Sequence, residues 1–280
     1  MSGTGFPNLP ARIAFPPPAR IRVTGTDAAR YLNGQLTINP SSLPESTRVP
    51  ALLLTAKGRL IAPVLAGKEA DAFLIESLSD LREDVIARLE RYLVADDVTL
   101  EDVSEEAGFW HVVGREDAPP GAVKCARMGI PGFDCTEPPS DIPEWSAEEA
   151  ELFRIGRGVP VWGRELVPDT LPHEAGLDRT HIDFHKGCYV GQETISRVQS
   201  VGRTHRTLAG LMGDFPPQPA SLVIDGSPAG TITSAARHLG LSKTLALAYV
   251  PRRRSSDSVE VVDASGQTTG SATIHEFPLF

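Results

Sequence analysis

Apolar positions along this chain recur with two different periods, and the switches between them outline the fold. Short runs at 20–24, 50–55, 60–66, 71–76, 97–103 and 109–113 have the length and side-chain character of strands. Leu81, Val85, Ile86, Leu89, Tyr92 and Leu93 follow Ser79 at helical spacing, which predicts an amphipathic helix over 79–94. A shorter helix is expected where Thr26 would cap a segment carrying Ala28, Ala29, Tyr31 and Leu32, with Gly34 near its end. Another is expected after Ser146. Ser146 and Glu149 form a capping-box pattern ahead of Leu152, Phe153 and Ile155, and Gly156 is the expected stop. This mixture of strands and helices predicts an α+β protein. The proline-rich segment 117–143 reads as an irregular excursion.

Beyond about residue 205 the helical period disappears. Leu222-Val223-Ile224 runs into Asp225-Gly226, a hairpin signal, and 229–234 resumes as a strand. Further strands fit 244–250, 258–263 and 270–277, with the proline-rich Phe215–Pro219 as a loop near the start. Residues 205–280 therefore read as a small all-β module behind a larger α+β region, 1–204.

Composition narrows the function classes. A chain of 280 residues can bury a substantial core. Its formal charge of −9 argues against general nucleic-acid binding, which needs a basic surface. Arg252-Arg253-Arg254 is a local exception that reads as a solvated turn after Pro251. No apolar run approaches the roughly 18 residues of a membrane-spanning helix. Met1–Arg20 has no basic start followed by an apolar stretch, so a signal peptide is not expected. Cys125, Cys135 and Cys188 cannot all pair and form no Cys-x-x-Cys, which fits free thiols in a reducing cytoplasm.

The densest chemistry lies in His185-Lys186-Gly187-Cys188-Tyr189-Val190-Gly191-Gln192-Glu193. Glycines on both sides of a thiol suggest backbone packed tightly against something. His181, His185 and Cys188 could be read as metal ligands, but the alternation of Ile182 and Phe184 with His181, Asp183 and His185 is a strand pattern. On a strand, residues four apart stand roughly 13 Å from each other, too far to clamp one ion. No metal is therefore assigned. Lys186 and a helix starting near 190 would favour the thiolate of Cys188; the alternative is a cysteine packed as a small hydrophobe. Glu174, in the loop Pro172-His173-Glu174-Ala175-Gly176-Leu177-Asp178, could accept two parallel donors such as an aminopyrimidine edge, or be an ordinary surface acid. No hydrolase elbow, Walker loop or dinucleotide fingerprint is present.

Lys186–Glu193 resembles the signature of the YgfZ-type folate-binding proteins, relatives of the glycine-cleavage T-protein associated with maturation or repair of iron–sulfur proteins. Residues 25–37, Thr55-Ala56-Lys57-Gly58-Arg59, Arg154–Pro160, the 172–177 loop and Ala229–Ser234 are similar, in order, to further motifs of that family. The resemblance implies a T-protein-like folate-binding fold, with two α+β domains and a small C-terminal β-barrel in a ring around tetrahydrofolate. It implies that Glu174 holds the pterin edge, that Arg206 meets the glutamate tail, and that Tyr189 and Gln192 contribute to the same pocket. Cys188, with Lys186, would be the functional thiol. Expected partners are folate and iron–sulfur client or assembly proteins. The T-protein's acidic pair has no counterpart here, where Ala62-Pro63 follows Gly58-Arg59-Leu60-Ile61. Aminomethyl transfer needs charge stabilisation at nitrogen that neither residue can supply. An enzyme using another acid, Asp178 or Asp183, and a non-catalytic interaction module are the alternatives.

Overall fold

The computed structural model describes residues 7–137, 139–202, 204–238 and 240–280. The first six residues of the expected leaderless N-terminus lie outside that description.

The chain begins with β1 (Ala11–Phe15), β2 (Pro18–Thr24) and α1 (Ala28–Gln35), followed by β3 (Arg48–Leu54), β4 (Leu60–Glu69), β5 (Ala72–Leu78) and α2 (Arg82–Glu90). Next come β6 (Thr99–Asp102), β7 (Phe109–Val113), β8 (Val123–Cys125), β9 (Gly132–Cys135), α3 (Ala147–Arg157) and α4 (Gln192–Val201). The C-terminal part is β10 (Arg206–Asp214), β11 (Ala220–Ile224), β12 (Ser227–His238), β13 (Lys243–Pro251), β14 (Ser258–Val262) and β15 (Thr268–His275).

These strands build three sheets. One has five strands in the order β3-β4-β5-β2-β6, and one has four in the order β1-β7-β9-β8. The last six close into a barrel, β10-β13-β12-β11-β14-β15, with every pairing antiparallel.

Two strands show why their sequences are apolar without interruption. On β3, Ala51 and Leu53 pack with Leu32, Val85 and Leu89 of α1 and α2. Leu52 and Leu54 face a second cluster with Leu177, Tyr189 and Ile195. On β13, Ala246, Ala248 and Val250 fill the barrel, while Leu245, Leu247 and Tyr249 pack outside it against Leu152 and Ile155 of α3. A strand buried on both faces loses the polar half of its alternation.

The local signals held in most places and failed for identifiable reasons. Ser146 and Glu149 make the reciprocal capping box. Asp225 and Gly226 are both left-handed, at φ 49° and 73°, as a two-residue hairpin turn requires. The 79–94 helix is shorter, a 3-10 turn at Ser79–Leu81 leading into α2.

Three expectations need correction. Thr26 does not cap α1: its hydroxyl donates to Asp97 at 2.7 Å, and Asp27 occupies the cap position. Gly156 does not stop α3, which ends at left-handed Gly158, φ 73°. An added Cβ on Gly156 would instead fall 1.6 Å from the Phe280 ring, so that glycine makes room for an aromatic. Finally, the proline-rich 117–143 contains β8 and β9, whose short pairing survives between the prolines.

Candidate functional site

Three separate segments converge on the 183–194 run. Lys186 reaches the C-terminal end of α1, where its Nζ donates to the carbonyls of Asn33 at 2.6 Å and Leu36 at 3.1 Å. Those carbonyls have no partner inside the helix, and the helix dipole favours a cation there. The Lys186 ammonium also lies 4.7 Å from the Tyr189 ring centre. Partial burial pushes its pKa down to about 8, with Asp183 and Cys188 acting in the opposite sense. Nearby, Val190 N–H donates to Gly34 and Asp183 N–H to Thr37, at 3.0 and 2.9 Å. The Thr37 hydroxyl accepts from Leu52 N–H at 2.9 Å and donates to the His181 carbonyl at 2.6 Å.

The third segment is the turn Thr55–Arg59 between β3 and β4. Gly191 is left-handed, φ 92°, and an added Cβ would stand 2.6 Å from the Thr55 carbonyl oxygen and 3.1 Å from Gly58 Cα. Gly58 in turn sits under Thr194. Of the two glycines flanking the thiol, only Gly191 is demanded by contact: a Cβ on Gly187 would meet only Asn33 Nδ2, at 3.5 Å.

Cys188 is exposed, whereas Cys125 and Cys135 are buried. A thiol packed as core hydrophobe is therefore the wrong reading for Cys188 and the right one for the other two. Burial pushes the Cys125 thiol up to about 12. Tyr189 is buried, its hydroxyl raised to about 12 by the same cause. Gln192 opens α4, with its N–H bonded to the Tyr189 carbonyl at 3.1 Å.

The expected strand at 181–185 is a loop. Its backbone donors go to the Leu177 carbonyl, to the Thr37 carbonyl just beyond α1 and to the Asp183 side chain rather than to a neighbouring strand. Among the described residues no group of three or more His, Cys, Asp or Glu could hold a metal ion. His181 Nδ1 is 2.7 Å from the Thr180 hydroxyl, and desolvation pushes its pKa down to about 4. An unfolded histidine protonates near 6.5, so between about pH 6.5 and 4 the unfolded chain binds more protons and stability falls as pH falls. A His181→Gln variant should lose less thermal stability than the parent between pH 7 and pH 5. Parallel melting curves for the two proteins would refute this.

Glu174 and Arg206 are placed together. Arg206 Nε donates to Glu174 Oε2 at 2.8 Å, and its guanidinium stacks 4.4 Å above the Tyr249 ring. Glu174 is buried, and its carbonyl accepts from Leu208 N–H at 2.7 Å, tying the 172–177 loop to the barrel. The sequence offered no sign of this pairing, because the two residues are 32 positions apart. Arg206 lines a small cleft of about 360 Å³ beside Arg164 and Tyr249.

A large cavity, about 1250 Å³, lies between the three sheets. Pro63, Trp162, Leu177 and Val198 contribute to its apolar wall, and His173, Asp178 and Arg252 to its polar one. Glu174 and Cys188 are not among its lining residues, although His173 and Ala175, on either side of Glu174, are. Arg252, Arg253 and Arg254 are exposed in the bend after β13, as a solvated turn would be, and Arg252 and Arg254 also border this cavity.

One wall holds a charge cluster that sequence reasoning missed. Glu76 bonds Arg20 at 3.1 Å and also pairs with Arg127; Arg127 is bound to Asp134 at 2.8 Å, and Asp134 to His111 Nδ1 at 2.8 Å. Arg127 is further placed 4.4 Å over the Phe109 ring. The cluster joins β2 and β5 of one sheet to β7 and β9 of the other, and no spacing rule connects residues drawn from four strands.

Comparisons with known proteins agree with this geometry. No family model matches the chain. A chloroplastic protein of Arabidopsis thaliana, provisionally named as a transferase, is 27% identical over 278 residues, 85% of this chain and 64% of its own. The tRNA-modifying protein YgfZ of Colwellia psychrerythraea is 24% identical over 67% of each chain. A mitochondrial iron–sulfur cluster assembly factor IBA57 homologue of Pyricularia oryzae is 29% identical over 65% of this chain and 52% of its own. The chain thus spans roughly half to two thirds of the length of these relatives. Among solved structures, the glycine cleavage system aminomethyltransferase T of Bartonella henselae superposes with a TM-score of 0.81 at 16% identity, covering 99% of this chain and 88% of that one. No helix among the described residues is long and apolar enough to cross a membrane. In sequence the chain is thus similar to the YgfZ and IBA57 proteins, and its fold is that of the glycine-cleavage T-protein.

Proposed function

We propose that this protein binds tetrahydrofolate and serves as an accessory factor in the assembly or repair of iron–sulfur proteins, with Cys188 as its functional thiol. The iron–sulfur role rests on the name of the fungal relative. The folate reading rests on the T-protein fold and on the fit of the cavity. About 1250 Å³ exceeds the roughly 300–1,000 Å³ of typical small-molecule sites. Its wall combines an aromatic and aliphatic face with a few convergent polar groups, and it includes a buried imidazole with no well-formed hydrogen bond at either nitrogen among the described residues.

The observation that carries the accessory reading is Pro63. It lines the cavity at the position where the resemblance expects a catalytic acid, and Ala62 beside it is fully buried. The ligand would bind there against an apolar wall, with no carboxylate to stabilise a charged nitrogen. Glu174 would take the pterin edge after giving up Arg206, and Tyr189 and Gln192, which like Glu174 are outside the cavity lining, would have to turn toward the ligand to contribute. Residues 1–204 would supply the folate-binding region and 205–280 the barrel. Free thiols keep a reducing compartment in the proposal, whether cytoplasm or, as the plant and fungal relatives' names have it, an organelle. Of the two acids weighed as alternatives, Asp178 lines the cavity and Asp183, which accepts from His185 N–H at 2.8 Å, does not.

The test pairs binding with thiol accessibility. Tetrahydrofolate at about 100 times its Kd should stabilise the fold by about 2.7 kcal/mol, and Glu174→Ala should weaken that shift. In the native protein one of the three cysteines, Cys188, should alkylate readily, and all three should do so in urea. No melting shift with tetrahydrofolate would end the folate reading. Formation of methylenetetrahydrofolate from an aminomethyl donor would replace the accessory role with catalysis.

A further inference from the structure

His173 is a polar side chain that the fold answers only loosely. It is 8% exposed, and neither ring nitrogen makes a well-formed hydrogen bond among the described residues, with the Gln199 side chain approaching it from one side. The ring packs 6.3 Å from Phe184 and contributes to the wall of the large cavity. Buried polar groups in native proteins are nearly always paired, so a loosely paired imidazole on a cavity wall marks a place where a ligand completes the bonding. Burial and the field of Arg252 both hold this imidazole toward its neutral form, opposed by Asp178 and Gln199.

Arg252 reaches the same wall from the turn after β13. Its position is set by two bonds to the 204–205 segment: N–H to the His205 carbonyl at 3.0 Å and Nη1 to the Thr204 hydroxyl at 3.1 Å. Of the other arginines on the cavity wall, Arg127 is held by Glu76 and Asp134, Arg254 by Asp257 at 2.7 Å, and Arg157 donates to the Gly129 carbonyl at 3.3 Å, while Arg179 lies next to Asp178 in the chain and has no ion pair among the described residues. Arg206, expected from the resemblance to meet the ligand's glutamate tail, is instead bound to Glu174, stacked on Tyr249 and outside the cavity lining.

We propose that His173 and Arg252 form a carboxylate-binding subsite in the cavity wall, which receives the glutamate end of a bound folate. A neutral imidazole donates one N–H, a guanidinium donates in a planar fork, and a carboxylate accepts from both. The subsite rests on the folate reading for the identity of its ligand, but its own chemistry is separable from the pterin.

Three probes tell the two apart. Tetrahydrofolate carries pterin and glutamate, tetrahydropteroate carries only the pterin side, and p-aminobenzoylglutamate only the tail. Calorimetry of the full-length protein should find tetrahydrofolate bound about tenfold more tightly than tetrahydropteroate. Arg252→Ala and His173→Phe should each remove most of that difference and leave tetrahydropteroate binding unchanged. Arg252→Lys should restore part of it. In parallel, NMR of the His173 ring should show its pKa raised when p-aminobenzoylglutamate is added, because a carboxylate stabilises the imidazolium. Equal losses for both pterin ligands in the variants, or a His173 resonance indifferent to p-aminobenzoylglutamate, would overturn the subsite. If neither pterin ligand binds while the tail fragment still shifts His173, the subsite stands and the folate reading falls.

Discussion

Replacing Glu165 with alanine is expected to lower folding stability by about 3–5 kcal/mol, the usual cost of breaking a buried ion pair from one side. Glu165 is 1% exposed and gathers donors from four places. Arg154 Nη1 of α3 lies at 3.1 Å, Val161 N–H at 3.0 Å, and the Thr233 and Ser234 hydroxyls of the barrel strand β12 at 2.7 and 2.6 Å. Its backbone carbonyl accepts from the Tyr249 hydroxyl at 2.9 Å. Alanine would leave the Arg154 guanidinium, itself 6% exposed, with Glu151 as its remaining carboxylate. It would also strand Val161 N–H and the Ser234 hydroxyl in the seam between α3 and the barrel, while the Thr233 hydroxyl would keep the Leu247 carbonyl at 3.1 Å. Urea unfolding of Glu165→Ala and Glu165→Gln should rank the glutamine variant between alanine and the parent. A loss below about 1 kcal/mol for alanine would mean that Glu151 alone neutralises Arg154.

Gly191→Ala is expected to cost about 2–5 kcal/mol. A left-handed non-glycine residue costs roughly 1–2 kcal/mol, and overpacking against fixed backbone adds about 1–3. Both apply here, since the new Cβ would be 2.6 Å from the Thr55 carbonyl oxygen and the residue sits at φ 92°. Gly187→Ala is the matched control. Its Cβ has only an ordinary contact with Asn33, so the change should stay within about 1 kcal/mol of the parent. Similar losses at the two positions would contradict the tight seat of Gly191 on the 55–58 turn. The pair also separates two uses of glycine in one signature: one that lets backbones touch, and one in an exposed link before the thiol.

Local grammar made much of the fold legible. Period, caps and turn residues place α2, α3 and most strands, because each signal is decided within a few residues of itself. What escaped was decided at a distance. Thr26 looks like a cap until Asp97 claims its hydroxyl. Gly156 looks like a helix stop until Phe280 fills the space beside it. The alternation at 181–185 looks like a strand, yet its amide donors are taken by Leu177, Thr37 and Asp183. The site shows the same division. Cys188, Lys186 and Gly191 stood out within one short run, whereas the Glu174–Arg206 pair, the Glu76–Arg127–Asp134–His111 cluster and the His173–Arg252 wall each join residues whose proximity only the tertiary fold creates.

The pattern of strand edges bears on how this protein behaves at high concentration. A free edge is a template on which another chain can add a strand. The barrel has no such edge, because β10 pairs with both β13 and β15. In the open sheets, β1 is covered where Arg12 N–H bonds Pro143 and Trp145 N–H bonds Arg12, β3 is met by Leu36 at Leu53, and the three-residue β8 is met at Lys124 by Ser46 and Thr47 just ahead of β3. The remaining margin among the described residues is β6, four residues long and ending in Glu101 and Asp102. Short, covered or acidic edges leave little surface for amyloid-like stacking, so partial unfolding of the barrel, rather than the native sheets, is the step that would expose this chain to aggregation.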